Sequence, residues 1–287
     1  MEDVLRPIYQ ERASNSNTLG VLLIEKNKPI SPETDNFDVI LLIIVTDSTQ
    51  AWFVKHYECN EQTVAMHVVD EKLLNEWIDT GSYRRAIEWV INGKTLFDRN
   101  EYVETLKQQI SNFPIDKRNL KLAIEFSKLT RSYSESKDLY KSGHFLDAYS
   151  RVLRSLHYLG RIAIIEKGYH PELVVWNQVK RIDPEVYKLY EELINSEEEP
   201  KKRVELILLA IEFALGSRAK NCSSHLLEIM KRSDEPWSYG ELKVHPKVAP
   251  YTLDLSAMIE YLTEKGIIRV ILDNTKGQDV YHRKYEV

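Results

Sequence analysis

The chain has 287 residues, enough for two domains at about 150 residues each with room for a small third. Hydrophobic residues make up 43%, aromatics 10% and charged residues 29%, which excludes a disordered or low-complexity chain. A balance of 39 basic against 44 acidic side chains, net -5, excludes a protein that coats nucleic acid by bulk charge and leaves only a local binding face open.

Val4, Leu5, Ile8 and Tyr9 share one face of a short helix, which the polar run Ser14 to Thr18 ends. The opening stretch MEDVLRPIYQERASNSN lacks an apolar segment, so no secretory signal is expected. The longest apolar run, Val39 to Val45, is far short of the ~20 residues that cross a bilayer, and the expectation is a cytoplasmic protein with no membrane partner. Leu19 to Ile24 reads as a strand, Lys28 to Glu33 as a loop, and Asp38 opens VILLIIV, Val39 to Val45, a strand buried on both faces. Trp52 to Glu58 and Thr63 to Val69 form a hairpin around the turn Cys59 to Gln62. Leu73, Leu74 and Trp77, then Ala86, Trp89 and Val90, repeat at helical spacing until Asn92-Gly93 breaks the pattern before Leu96, Phe97 and Asp98.

Residues 114 to 232 lack sustained alternation, and Leu, Ile, Tyr and Glu recur at three-to-four spacing. Helices are expected near 116–141, 144–167, 171–180, 184–195 and 200–230, with Asp183 as N-cap before Pro184 and short connections that imply an antiparallel bundle. From about 233, Ser238 with Glu241 is a capping-box signature, Leu253 to Lys265 is an amphipathic helix ending at Gly266, and Ile267 to Leu272 and Val280 to Tyr285 flank a turn at 273–279. The fold class is α+β multidomain: a mixed-sheet domain over 1–113, an all-α bundle over 114–232 and a small winged-helix domain over 233–287. The two cysteines, Cys59 and Cys222, form no CxxC pair or Cys/His cluster, so neither a disulfide framework nor structural zinc is expected.

The stretch GVLLIEKNKPISPETDNFDVILLIIV, residues 20–45, resembles nucleotidyltransferases of the polymerase-beta-like fold, in which a strand, Gly-Ser, about ten residues and Asp-x-Asp precede an apolar strand. Two carboxylates at i and i+2 on a strand lip point the same way and hold Mg²⁺ against a nucleotide triphosphate. Asp38 matches the second carboxylate, but Asn36 occupies the first position, and Glu25-Lys26 or Lys26-Asn27 stands where Gly-Ser belongs. His67, with Asp70 just beyond it, is the candidate for the third position, and GKTLFDRNEYVETLKQQI, 93–110, resembles the ending of such domains, which implies Lys94, Asp98 and Arg99 near the cleft, with a plain turn salt bridge as the other reading.

The resemblance therefore implies a nucleotidyltransferase-like protein whose metal and nucleotide site is degenerate and which serves binding or regulation. The alternative is an active Mg-dependent enzyme that transfers a nucleoside monophosphate to an unknown acceptor, with Asp38 as metal ligand, Asp70 as its catalytic partner, and Lys26, Asn36, His67 and Lys94 around the nucleotide. A plainer reading stays open beside both, in which Asp38 caps a loop and His67 is a hydrogen-bonded sheet residue. The helical stretch 142–176 resembles HEPN-like bundles, whose ribonucleases carry Arg and His at a spacing that Arg151 and His157 meet. The last segment resembles a winged helix-turn-helix with DNA or protein as partner. If DNA, Tyr251, Thr252, Asp254 and Ser256 would face bases while Lys276 and Arg283 touch phosphate. Residues 235–287 carry seven cations against eight acids, so weak DNA binding with a shallow salt slope is expected.

Overall fold

A computed structural model describes residues 2–26, 32–275 and 277–287. The chain forms two compact units, one running to Pro114 and including Glu172–Val174, the other comprising Ile115–Pro171 and Val175–Val287.

In the first unit, α1 (Glu2–Ser14) leads into β1 (Thr18–Glu25), β2 (Val39–Val45) and the hairpin of β3 (Trp52–Cys59) and β4 (Gln62–Asp70). Then come α2 (Glu71–Thr80), α3 (Arg85–Asn92), β5 (Lys94–Asp98) and α4 (Tyr102–Asn112). The strands lie in the order β3-β4-β2-β1-β5, with β2 and β4 parallel and the other neighbours antiparallel. Every side chain of VILLIIV is buried because helices cover both faces of the sheet. By period-two alternation Ile40, Leu42 and Ile44 meet α2, α3 and α4 through Leu74, Trp89 and Val103, while Val39, Leu41 and Ile43 meet Leu5 and Tyr9 of α1. The hairpin turns through Asn60 and Glu61, both at positive φ (48° and 62°), the backbone that a two-residue turn needs to match strand twist. Gly20 lets α4 sit close on β1, since a Cβ there would overlap Cγ2 of Val103.

The second unit begins with α5 (Ile115–Lys141), α6 (Phe145–Glu166), α7 (Val175–Ile182), α8 (Pro184–Asn195), α9 (Pro200–Cys222) and α10 (Ser224–Met230). The Asp183 side chain caps α8 by accepting from Val186 N at 3.1 Å, with Pro184 in the first turn. The helix expected over 200–230 is in fact two. Ser223 ends α9, its hydroxyl donating back to the Ala219 carbonyl at 2.6 Å, and it is also the N-cap position of α10. The helix expected over 171–180 starts instead at Val175, because Glu172–Val174 join the first unit, where Leu173 N donates to the Glu88 carboxylate at 2.6 Å.

The chain closes with β6 (Trp237–Ser238), α11 (Tyr239–Val244), a 3-10 segment (Ala249–Asp254), α12 (Leu255–Glu264), β7 (Arg269–Asn274) and β8 (Tyr281–Glu286). The expected capping box is formed at α11: Glu241 N donates to Ser238 Oγ, and Ser238 N donates to the Glu241 carboxylate. The small sheet has the order β6-β8-β7, so α10, α11 and α12 with this hairpin make a winged helix-turn-helix. It packs on the bundle through Phe126 of α5, edge-on to Tyr261 of α12. Among the described residues no helix is long and apolar enough to cross a membrane.

Candidate functional site

Asp38 sits one residue before β2, where a metal-binding carboxylate of this fold would stand, but one of its oxygens is doubly hydrogen-bonded and the other faces a lysine. Oδ2 accepts from Thr63 N at 2.9 Å and from the Thr63 hydroxyl at 3.1 Å, and Lys26 Nζ stands 3.8 Å from Oδ1. These bonds, the Thr63 amide first, hold the carboxyl below the usual carboxylate range. With Asp38 N bonded to Thr63 O, the side chain clamps the entry of β2 to that of β4. Asn36 lies exposed in the preceding turn. Asn27, half of one candidate for the Gly-Ser position, lies outside the described residues.

Asp70 cannot complete a metal pair with Asp38. Val39 is level with Val64 and Val45 with Asp70 on the parallel ladder, so the two carboxylates stand at opposite ends of it, roughly 20 Å apart at ~3.3 Å per residue. Asp70 is instead the N-cap of α2, accepting from Leu73 N at 2.8 Å. Lys94 is also displaced from Asp38: it faces α1 and pairs with Glu2. Asp98 caps α4 through Val103 N and Glu104 N, and Arg99 donates to the carbonyls of Thr18, Ala13 and Asn15. A Mg²⁺ ion requires several oxygen ligands converging at about 2 Å, and the residues expected to supply them do not converge. Among the described residues no group of three His, Cys, Asp or Glu side chains can hold a metal ion.

His67 is buried on the α2–α3 face of the sheet, level with Leu42. Its Nδ1 accepts from Trp52 Nε1 at 3.1 Å, which assigns the ring proton to Nε2. Burial, then the charges of His56 and Arg85, lower its pKa to about 4, so the ring is neutral at pH 7. It lies in an aromatic cluster with Trp52, Trp77, Tyr83 and Trp89, with successive ring centroids 4.6–5.8 Å apart. Trp89 Nε1 donates to the Glu33 carbonyl and Arg85 Nε to the Pro32 carbonyl, which ties the segment before Asp38 onto α3. The cluster went unread in the sequence, although three of the five tryptophans fall within residues 52–89.

In the second unit, Arg151 pairs with Glu135 while His157 packs edge-on to Trp176, so α6 turns these two side chains to different neighbours. Tyr251 is buried with its hydroxyl 2.9 Å from His225 Nδ1, and Asp254, its side chain 16% exposed, pairs with Arg131 of α5; neither is free to face a base. Thr252 is half-buried and donates to the Val248 carbonyl. Ser256 and Arg283 do come together, lining a small cleft with Tyr239 and Glu260, and Lys276 lies outside the described residues. Ser256, Glu260 and Glu264 form the exposed stripe of α12, giving it an acidic face. A second cluster that sequence reading missed joins α5 and α6: Lys128, Arg131, Arg151 and Arg154 line one pocket. Its signal was present, since Lys128, Arg131 and Glu135 on α5 and Arg151, Arg154 and Tyr158 on α6 repeat the same i, i+3, i+7 spacing.

Residues 1–118 match the family model described as nucleotidyltransferase-like, 119–218 the YgxA-like substrate binding domain, and 224–287 a helix-turn-helix domain. The chain is 50% identical over 285 residues to the uncharacterized protein YgxA of Bacillus subtilis (strain 168), covering 99% of this chain and 97% of the relative. It is also similar to the crystal structure of a nucleotidyltransferase-like protein from Exiguobacterium sibiricum, with TM-score 0.84 and 40% identity over 100% of this chain and 99% of that one. The helix-turn-helix match begins at α10, the helix released by the break at Ser223. With the mixed sheet, the helical region and the winged helix in this order along its whole length, the chain belongs to the nucleotidyltransferase-like family of YgxA.

Proposed function

We propose that this protein is a binding or regulatory member of the nucleotidyltransferase-like fold rather than a nucleotide-transferring enzyme. The observation that carries this reading is the state of Asp38, whose carboxylate is clamped to Thr63 and Lys26, with Asn36 in place of the preceding carboxylate and Asp70 at the far end of the ladder. Two-metal transfer needs oxygen ligands from at least two carboxylates about one ion apart, and this arrangement supplies one. The helical domain and the winged helix then serve binding. The acidic stripe Ser256, Glu260 and Glu264 on α12 supports a protein partner over a duplex backbone, with DNA bound weakly and with a shallow salt slope.

Incubation of the full chain with Mg²⁺ and α-labelled nucleotides, alone and with protein, RNA and aminoglycoside acceptors, tests the reading. No label is expected on any acceptor. Label that appears with the wild type and vanishes in Asp38→Ala overturns it. Fluorescence anisotropy on random duplex at 50 and 200 mM salt tests the second part, and a log-log slope steeper than about -5, implying five or more phosphate contacts, contradicts it.

A further inference from the structure

The pocket between α5 and α6 is a concave, strongly charged site of about 210 Å³. A water occupies ~30 Å³ in the liquid, so the space suits a compact ligand of a few heavy groups. Four cations line it, Lys128, Arg131, Arg151 and Arg154, against two carboxylates, Glu135 and Asp254. Glu135 is shared, accepting from Arg131 at 3.0 Å on one oxygen and pairing with Arg151 at 3.0 Å on the other. Lys128 stands 3.4 Å from Glu125, which is itself bound 3.0 Å from the buried Arg161 guanidinium. Arg154 is exposed and, among the described residues, has no hydrogen-bond or ion-pair partner. The Ser132 and Tyr158 hydroxyls complete the lining. The site therefore has positive charge in excess, one guanidinium unspent, and planar forks suited to bidentate oxyanion binding.

We propose that this pocket binds a small phosphorylated metabolite through Arg131, Arg151 and Arg154, and that occupancy is transmitted to the winged helix. The link is Arg131: its Nη1 donates to the Leu253 carbonyl at 3.2 Å and to Asp254 at 3.0 Å, the two residues just before α12. A phosphate oxygen that takes this donor competes with Asp254 and loosens the hold of α5 on the start of α12. The site is independent of Asp38, so its failure leaves the reading of the first unit standing, and loss of that reading leaves this site standing.

The test is calorimetric titration of the full chain with sodium pyrophosphate at fixed ionic strength, with sodium sulfate as the generic anion. Saturable pyrophosphate binding is expected, tighter than sulfate. Arg154→Gln should weaken it at least fivefold while leaving the melting temperature unchanged, because Arg154 holds no protein group. Arg131→Gln should weaken it too and should also increase amide hydrogen exchange at 253–256. Absence of saturable heat up to about 10 mM, a regime weaker than roughly -3 kcal/mol, overturns the proposal. So does equal affinity in the wild type and Arg154→Gln. Random duplex that binds through Arg154 while pyrophosphate does not would assign the cluster to a nucleic-acid backbone and overturn it as well.

Discussion

His67 and Glu88 show how single side chains set the pH behaviour of the first unit, in opposite directions. Burial lowers the His67 pKa to about 4, so the unfolded chain takes up its proton at higher pH than the folded one. Its contribution is present above pH 6.5 and is lost as the pH falls toward 4, by roughly 2–3 kcal/mol. Urea midpoints across that range, with the His67 ring followed by NMR, check this, and a ring titrating near 6.5 contradicts it. Glu88 is pushed up to about 6, first by burial and further by Glu33 and Glu172, although the Leu173 amide pulls the other way. A folded-state value above the unfolded one gives stability that is complete below pH 4.5 and lost as the pH rises through 6. Glu88→Gln keeps an acceptor for Leu173 and should stabilise the chain at pH 7 by on the order of 1 kcal/mol after solvent screening, with the gain absent at pH 4.5. Destabilisation at pH 7 contradicts the assignment. Neither shift was legible in the sequence, because each depends on neighbours brought by other strands and helices. The role of Asp70 was closer to legible, since an aspartate directly before EKLL is an N-cap signature.

Among the elements, period and punctuation carried the sequence reading furthest. VILLIIV is apolar at every position because both faces of β2 are covered, and Asp183-Pro184 opens α8 where cap and fixed proline φ agree. Two features escaped it for different reasons: the break at Ser223 falls in a continuous helical pattern with no proline or glycine beside it, and the late start of α7 goes with a bond from Leu173 N to the Glu88 carboxylate across 85 positions of chain. Gly20 joins the two levels, since its bare Cα admits Val103 of α4 against β1. Gly20→Ala is expected to destabilise the first unit by about 1–3 kcal/mol through overpacking, measured by chemical denaturation, and an unchanged midpoint contradicts that packing. Ser238→Ala should cost about 1 kcal/mol by removing the acceptor for Glu241 N, with the loss seen as faster amide exchange over α11.

Across the whole molecule, the order of parts was legible because each has its own period: mixed strands and helices, then helices alone, then a short helix pair and hairpin. The state of the candidate site was only half legible. Asn36 and the missing Gly-Ser are visible in the sequence, whereas the clamp of Asp38 on Thr63 depends on a strand pairing across 25 positions of chain. In the function proposed for this chain, the clamp of Asp38 on Thr63 stands in place of a metal-nucleotide site. The most direct test of that proposal is calorimetric titration of the full chain with Mg²⁺-ATP, run in parallel on wild type and Asp38→Ala. The two isotherms should coincide, with any binding that remains lost in Arg154→Gln rather than in Asp38→Ala. Micromolar Mg²⁺-dependent binding in the wild type, about -8 kcal/mol, that disappears in Asp38→Ala would show a working metal-nucleotide site at Asp38.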